Sequence, residues 1–156
     1  SSLQASISSP SEVLDPEVMI SLNHSYLCMK ILRQLFQNNT VEAYPELTLN
    51  IGKGLTPDIS VYPAAQLQPD FLNDRSKVEQ MPILAIEVIS ASQNIQDLLE
   101  KAQQLINAGV KVVWTIEPYG QSIFVTTAAG NKLFHRENIT SEQISVDFTQ
   151  IFPEVG

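Results

Sequence analysis

Ile83-Leu84-Ala85-Ile86-Glu87-Val88-Ile89-Ser90 is the stretch that decides the fold. Its apolar residues run almost unbroken, the pattern of a β-strand covered on both faces. A helix is predicted next, over about residues 93–108, with Ser92 or Asn94 as cap, Asp97 in its first turn and Gly109 as its stop. Residues 111–117 then read as another buried strand, ended by Pro118. Only this helix can act as a crossover between parallel strands, so the expected sheet is mixed.

Working outward, a helix is predicted over about residues 23–37, with Asn23 as cap and Asn38-Asn39 as its close. Leu27, Ile31 and Leu35, with Met29, Leu32 and Phe36, give it a broad apolar face. Residues 17–21 fit either an extension of this helix or a short strand before it. Residues 46–51 and 55–62 read as a hairpin across Gly52-Lys53-Gly54. A phosphate loop is excluded there, because the spacing and the following Ser or Thr are missing. Residues 63–82 form a long connection containing prolines and acids. Downstream, residues 122–127 and 132–136 pair across Gly130-Asn131, and Phe148, Ile151 and Phe152 dock the C-terminal end. Residues 1–15 are a loose lead-in to a single domain spanning 1–156. The expected class is α/β, more specifically α+β with a mixed sheet: helix, three strands, helix, strand, and an added C-terminal hairpin.

Composition sets the outer limits. The chain has 156 residues, 44% hydrophobic and 17% charged, which is globular rather than disordered. No apolar run nears the ~20 residues that span a bilayer, and no basic stretch followed by a hydrophobic one opens the sequence. The expectation is a cytoplasmic protein without membrane partners. One cysteine, Cys28, excludes an internal disulfide, and the sequence supplies no thiolate or histidine cluster for zinc. A net charge of −8 with only nine Lys and Arg argues against strong non-specific affinity for nucleic acid. It leaves open a local basic groove, since net charge does not fix charge distribution.

Three residues stand out. Glu87 lies between Ile86 and Val88 in the most hydrophobic strand, where even a merely polar group costs roughly 2–7 kcal/mol to bury unpaired. It is protonated, paired or bound to a cation, unless the strand end surfaces in water. Asp58, in Thr56-Pro57-Asp58-Ile59-Ser60-Val61, falls by alternation on one face with Thr56 and Ser60; alone it reads as a solvated strand face. Lys101 falls at ~60° from Leu98 and ~40° from Leu105 on its helix, at the border of the apolar stripe. Alone it reads as a snorkelling lysine.

Asp58, Glu87 and then a lysine follow the order of acids and base in the PD-(D/E)-x-K nucleases. Two carboxylates can hold one Mg²⁺ (Mn²⁺ is the alternative), which acidifies water and neutralises charge growing on a phosphate. A lysine beside them can orient the water or stabilise that charge.

Longer strings carry a more specific likeness: Thr56 to Val61, Ala85-Ile86-Glu87-Val88-Ile89-Ser90, and Asp97 through Lys101 to Ala108-Gly109-Val110. Val113-Trp114 and Glu117-Pro118 match further pairs. On these the chain resembles the Uma-type family of restriction-endonuclease-like proteins over about residues 23–137. The resemblance implies the restriction-endonuclease-like fold and a DNA-cleaving site at Asp58 and Glu87, with Lys101 replacing the parent motif's lysine. That parent position is Ile89 here. Leu105 stands where the family usually has tyrosine, and Ser90-Ala91-Ser92 where it has Ser-Pro-Ser. Glu46 is a candidate third acid on the first strand. His24 resembles a family histidine near the first helix and is assigned a structural capping role.

Three functions compete: an Mg²⁺-dependent endonuclease, a catalytically weak or inactive nuclease-fold binding module, and a metal-dependent hydrolase of another substrate. DNA is the expected partner of the first, bound weakly. A homodimer is also expected, through an apolar patch at Ile123, Phe124, Val125 and Phe134.

Overall fold

The computed structural model describes residues 21–154. The lead-in at 1–15 and the undecided segment before Ser21 lie outside the described residues. The first element, α1 (Leu22–Leu35), is capped by Ser21, whose hydroxyl accepts the His24 N–H at 3.1 Å. The predicted cap, Asn23, is already inside the helix, which closes at Phe36 before Asn38-Asn39. Leu27, Ile31 and Leu35 are buried, whereas Met29 and Phe36 are exposed. The apolar face is therefore a narrow stripe at i, i+4 and i+8.

Strands β1 (Val41–Pro45) and β2 (Ile59–Pro63) pair antiparallel, Ala43 opposite Val61. The predicted hairpin is thus shifted: its first strand lies at 41–45 rather than 46–51. The tight turn at residues 52–54 is nevertheless there. Leu49 and Leu55 exchange backbone hydrogen bonds of 2.7 and 3.1 Å across it, and Gly54 takes φ +120°, which favours glycine.

The quoted stretch becomes β3 (Leu84–Val88), buried at every position. After it come α2 (Ile95–Asn107), capped by Asn94, and β4 (Val112–Glu117). Gly109, at φ +116°, turns the chain out of α2. Strands β3 and β4 are parallel and the other pairs antiparallel, giving one six-stranded sheet in the order β1-β2-β3-β4-β5-β6. Here β5 is Ser122–Thr127 and β6 is Gly130–His135. Thr127 faces Gly130, so this hairpin turns at Ala128-Ala129 rather than Gly130-Asn131. A second hairpin that the sequence reading missed, β7 (Asn138–Ser141) with β8 (Ile144–Asp147), precedes a short 3-10 turn at Phe148–Gln150.

Alternation along the strands makes two layers. Ile59, Val61, Leu84, Ile86, Val88, Trp114 and Ile116 face α1, the β7–β8 hairpin and Phe148, Ile151 and Phe152. Ala85 and Val113 face the other way, against Ala102 and Leu105 of α2. Burying such faces at about 25 cal/mol per Å² of apolar area is what holds helices and sheet together. The patch expected to pair two copies is only partly covered, since Phe124 and Phe134 stay half-buried. Ile123 and Val125 are buried, and only Leu133 of the β5–β6 hairpin is left as a large exposed apolar side chain. Among the described residues, no helix is long and apolar enough to cross a membrane.

Candidate active site

The register places the two acids at one end of neighbouring strands. Ile59 pairs with Ile86 in the antiparallel β2–β3 ladder, so Asp58, just before β2, meets the level of Glu87. Its carboxylate Oδ2 accepts the Val88 N–H at 2.7 Å, which fixes it against the backbone beside Glu87. The Asp58 carbonyl is held as well, by the Glu46 N–H at 3.0 Å. That contact is what Glu46 gives the site. The residue is exposed, lies past the end of β1, and takes φ +51°, so its placement on a strand as a third acid is corrected.

Glu87 projects toward α2, on the side of the sheet shared with Ala85 and Thr115. It is only 4% exposed. The water-exposed strand end is therefore ruled out, and the buried carboxyl has a partner: Lys101 Nζ lies 2.5 Å from Oε2. Lys101 also donates to the Thr56 carbonyl at 3.4 Å. Its ammonium thus turns inward between the two acid-bearing segments, and the snorkelling alternative falls. Burial pushes the Glu87 carboxyl up to about 7; Lys101 opposes that shift, and the neighbouring Asp58 carboxyl adds to it. Among the described residues, the buried hydroxyls Ser60 Oγ and Thr115 Oγ1 have no hydrogen-bond partner, whereas Glu87 Oε2 is ion-paired with Lys101. Ser60 is opposite Ala85 and Thr115 opposite Glu87, so all three lie on the same side of the sheet. Buried polar atoms are seldom left so, and the two hydroxyls extend the polar patch around Glu87.

His24 is the residue whose role the sequence reading missed. It caps nothing with its side chain. It occupies the buried stripe of α1 with Leu27 and Ile31, and its Nε2 reaches Asp58 Oδ2 at 3.1 Å. Its Nδ1 faces the Cys28 thiol at 3.9 Å. The hydrogen bond to Asp58, then that to Cys28, raises the imidazole to about 10, with burial working against them. A histidine on the buried stripe of an amphipathic helix was the available signal. Three ligand types that looked scattered in sequence, His24, Cys28 and Asp58, come together here.

Beside His24 opens a cleft of about 450 Å³, walled by Asn23 of α1, Ile89 and Gln93 after β3, and Glu117 and Tyr119 after β4. No Lys or Arg lines it. The three sequence departures have local explanations. Ile89, at the parent lysine position, lines this cleft. Leu105 is fully buried under α2. Ser90 is tied to the Gln93 side chain by its N–H at 2.9 Å and its hydroxyl at 3.1 Å, which shapes the turn where the family has proline.

A mixed sheet with a single parallel pair, two helices and two acids meeting a helix lysine at the strand ends define a restriction-endonuclease-like protein. The chain belongs to the Uma2 family, described as "Putative restriction endonuclease", whose family model matches residues 12–155. A crystal structure from Anabaena variabilis, described as a "putative nuclease", has the same fold, with a TM-score of 0.73 at 17% identity over 87% of this chain and 83% of that one. The DrdV–DNA complex is more distant, at TM-score 0.41 and 10% identity over 79% of this chain and 12% of that one. No curated protein matches the chain.

Proposed function

We propose that the protein is an Mg²⁺-dependent endonuclease hydrolysing DNA phosphodiester bonds, with Asp58 and Glu87 as metal ligands and Lys101 as the cationic helper. One observation carries the reading: a carboxyl buried as deeply as Glu87 lies beside a second carboxylate and an inward-turned ammonium that pairs with its Oε2. The donor set is hard oxygen, which suits Mg²⁺ or Mn²⁺. When bound, such an ion supplies Lewis-acid stabilisation of charge on the phosphate and lowers the pKa of water.

The chain's own residues have separable tasks. Val88 N–H and His24 orient the Asp58 carboxylate. Glu87, raised to about 7 by burial, would hold the ion together with Asp58 in its deprotonated form. Lys101 cannot ligate a cation, having donors only, so it orients the attacking water or donates to the phosphate as negative charge grows.

A second reading keeps the fold without the chemistry, as a binding module. The −8 charge and the absence of Lys and Arg from the cleft favour it. The discriminating experiment is metal-dependent nicking of plasmid and single-stranded DNA by the wild type and Glu87→Ala. Mg²⁺-dependent nicking lost in the variant upholds the nuclease. Equal nicking by both exposes a contaminant, and none with any metal or substrate moves the assignment to the binding module. A homodimer that addresses two strands would pair through the β5–β6 hairpin; sedimentation over a range of concentrations tests it.

A further inference from the structure

We propose that His24, Cys28 and Asp58 form a second, softer cation site that takes Zn²⁺. His24 and Cys28 are one helical turn apart on the inward side of α1, so both project toward Asp58 at the end of the sheet. One ligand atom from each, an imidazole nitrogen, a thiol sulfur and a carboxylate oxygen, lies within 4.8 Å of the other two. The imidazole Nε2 is 3.1 Å from Asp58 Oδ2 and the Nδ1 is 3.9 Å from Cys28 Sγ. A tetrahedral zinc ion with Zn–N and Zn–O of about 2.0 Å and Zn–S of about 2.3 Å separates neighbouring ligand atoms by roughly 3.3–3.6 Å. Those two distances belong to opposite ring nitrogens, so a spread of up to 4.8 Å must close by about 1.2–1.5 Å on the ion. The ring's two nitrogens face the two partners separately, so the ion takes one nitrogen and the thiol closes the remaining gap by rotating about χ1. The thiol gives up its proton on ligation.

The ligand chemistry separates this site from the one at Glu87. Thiolate and imidazole select Zn²⁺ over Mg²⁺, whereas the Asp58–Glu87 pair offers only oxygen. Asp58 belongs to both, so zinc in one site removes a ligand from the other. The inference shares Asp58 with the nuclease reading, but Cys28 has no part in that reading, and the two can fail independently.

The test uses Co²⁺ as a spectroscopic substitute for Zn²⁺ on the full chain, without any DNA. The wild type is expected to bind one Co²⁺ with a thiolate-to-metal charge-transfer band that Zn²⁺ abolishes and excess Mg²⁺ leaves in place. Cys28→Ser is expected to lose the band and about 100-fold in Zn²⁺ affinity, while Glu87→Gln keeps both. On the wild type, Zn²⁺ but not Mg²⁺ is expected to shield Cys28 from alkylation, a readout that needs no variant to fold. A missing band, equal Zn²⁺ affinity in Cys28→Ser, or an unshielded thiol overturns the proposal. Mg²⁺-dependent nicking without the band sinks this proposal alone; the band without nicking sinks the nuclease reading alone.

Discussion

Asp58 and Glu87 face each other from adjacent strands, yet their surroundings differ in kind. Asp58 is at the rim of the sheet, its side chain 19% exposed, fixed by a backbone N–H and a histidine from the α1 layer. Glu87 is inside, its side chain 5% exposed, paired with a lysine from the α2 layer. One acid is held in place; the other is held in tension between burial and its lysine. The contrast teaches that each layer supplies a different cation to one shared carboxylate pair. The α1 side holds Asp58 through His24, and the α2 side answers the buried Glu87 with Lys101.

The largest expected effect is on activity. Glu87→Gln and Asp58→Asn should each lower Mg²⁺-dependent nicking by about 10²–10³-fold, since each removes a group aimed at developing charge. Circular dichroism should show both folded. Equal, unreduced rates would break the comparison at its root.

Next is Lys101→Met, which strands Glu87 without its cation. Removing one partner of a buried pair costs about 3–5 kcal/mol, and less here because Glu87 can take up a proton. Denaturation should therefore show a clear loss of stability at pH 8 and a much smaller one at pH 5. Rate should fall more than Mn²⁺ affinity, because an ammonium is no ligand.

The pH profile of the metal-free protein sharpens the same contrast. Both Glu87 and His24 hold protons more tightly in the folded chain than in the unfolded one, so both lose stability as pH rises. Glu87 acts between its ordinary 4.5 and about 7, His24 between 6.5 and about 10. Melting temperature should thus fall in two stages from pH 4.5 to 10. Glu87→Gln should remove the first stage and His24→Gln the second; a single stage surviving both changes would contradict the assignment.

How far the sequence spoke follows from the range of its signals. The continuous run at 83–90 announced a two-sided strand, and an acid inside it had to be answered by something. Asp58 and Lys101, bland when taken singly, stood out only through the order of acids and base and the family resemblance. β1 was misplaced because Val41 to Pro45 is short, carries Glu42 and ends in proline, while the glycine turn at 52–54 drew the hairpin toward itself. The β7–β8 hairpin turns through Glu142 and Gln143 at positive φ, without the Asn-Gly that would announce it. His24 meets Asp58 only once α1 crosses the sheet, a contact that no local pattern encodes.

The smallest expected effect is a gain. In metal-free buffer at pH 8, Glu87→Gln should raise the melting temperature by about 2–4 °C, what roughly 1 kcal/mol brings in a chain of this size. Asp58→Asn should lower it, since its carboxylate already has partners that suit it. A loss for both would mean that Glu87 is a settled ion pair rather than a site awaiting a cation.

The most direct test of the central claim is the Mn²⁺ affinity of the wild type and Glu87→Gln, measured by calorimetry at pH 8 and pH 5.5. Two carboxylates sharing a cation predict one bound Mn²⁺ at pH 8, about 30-fold weaker binding at pH 5.5 as Glu87 takes up its proton, and loss of that binding in Glu87→Gln at both. Equal affinity in the two proteins, or binding indifferent to pH, would contradict it.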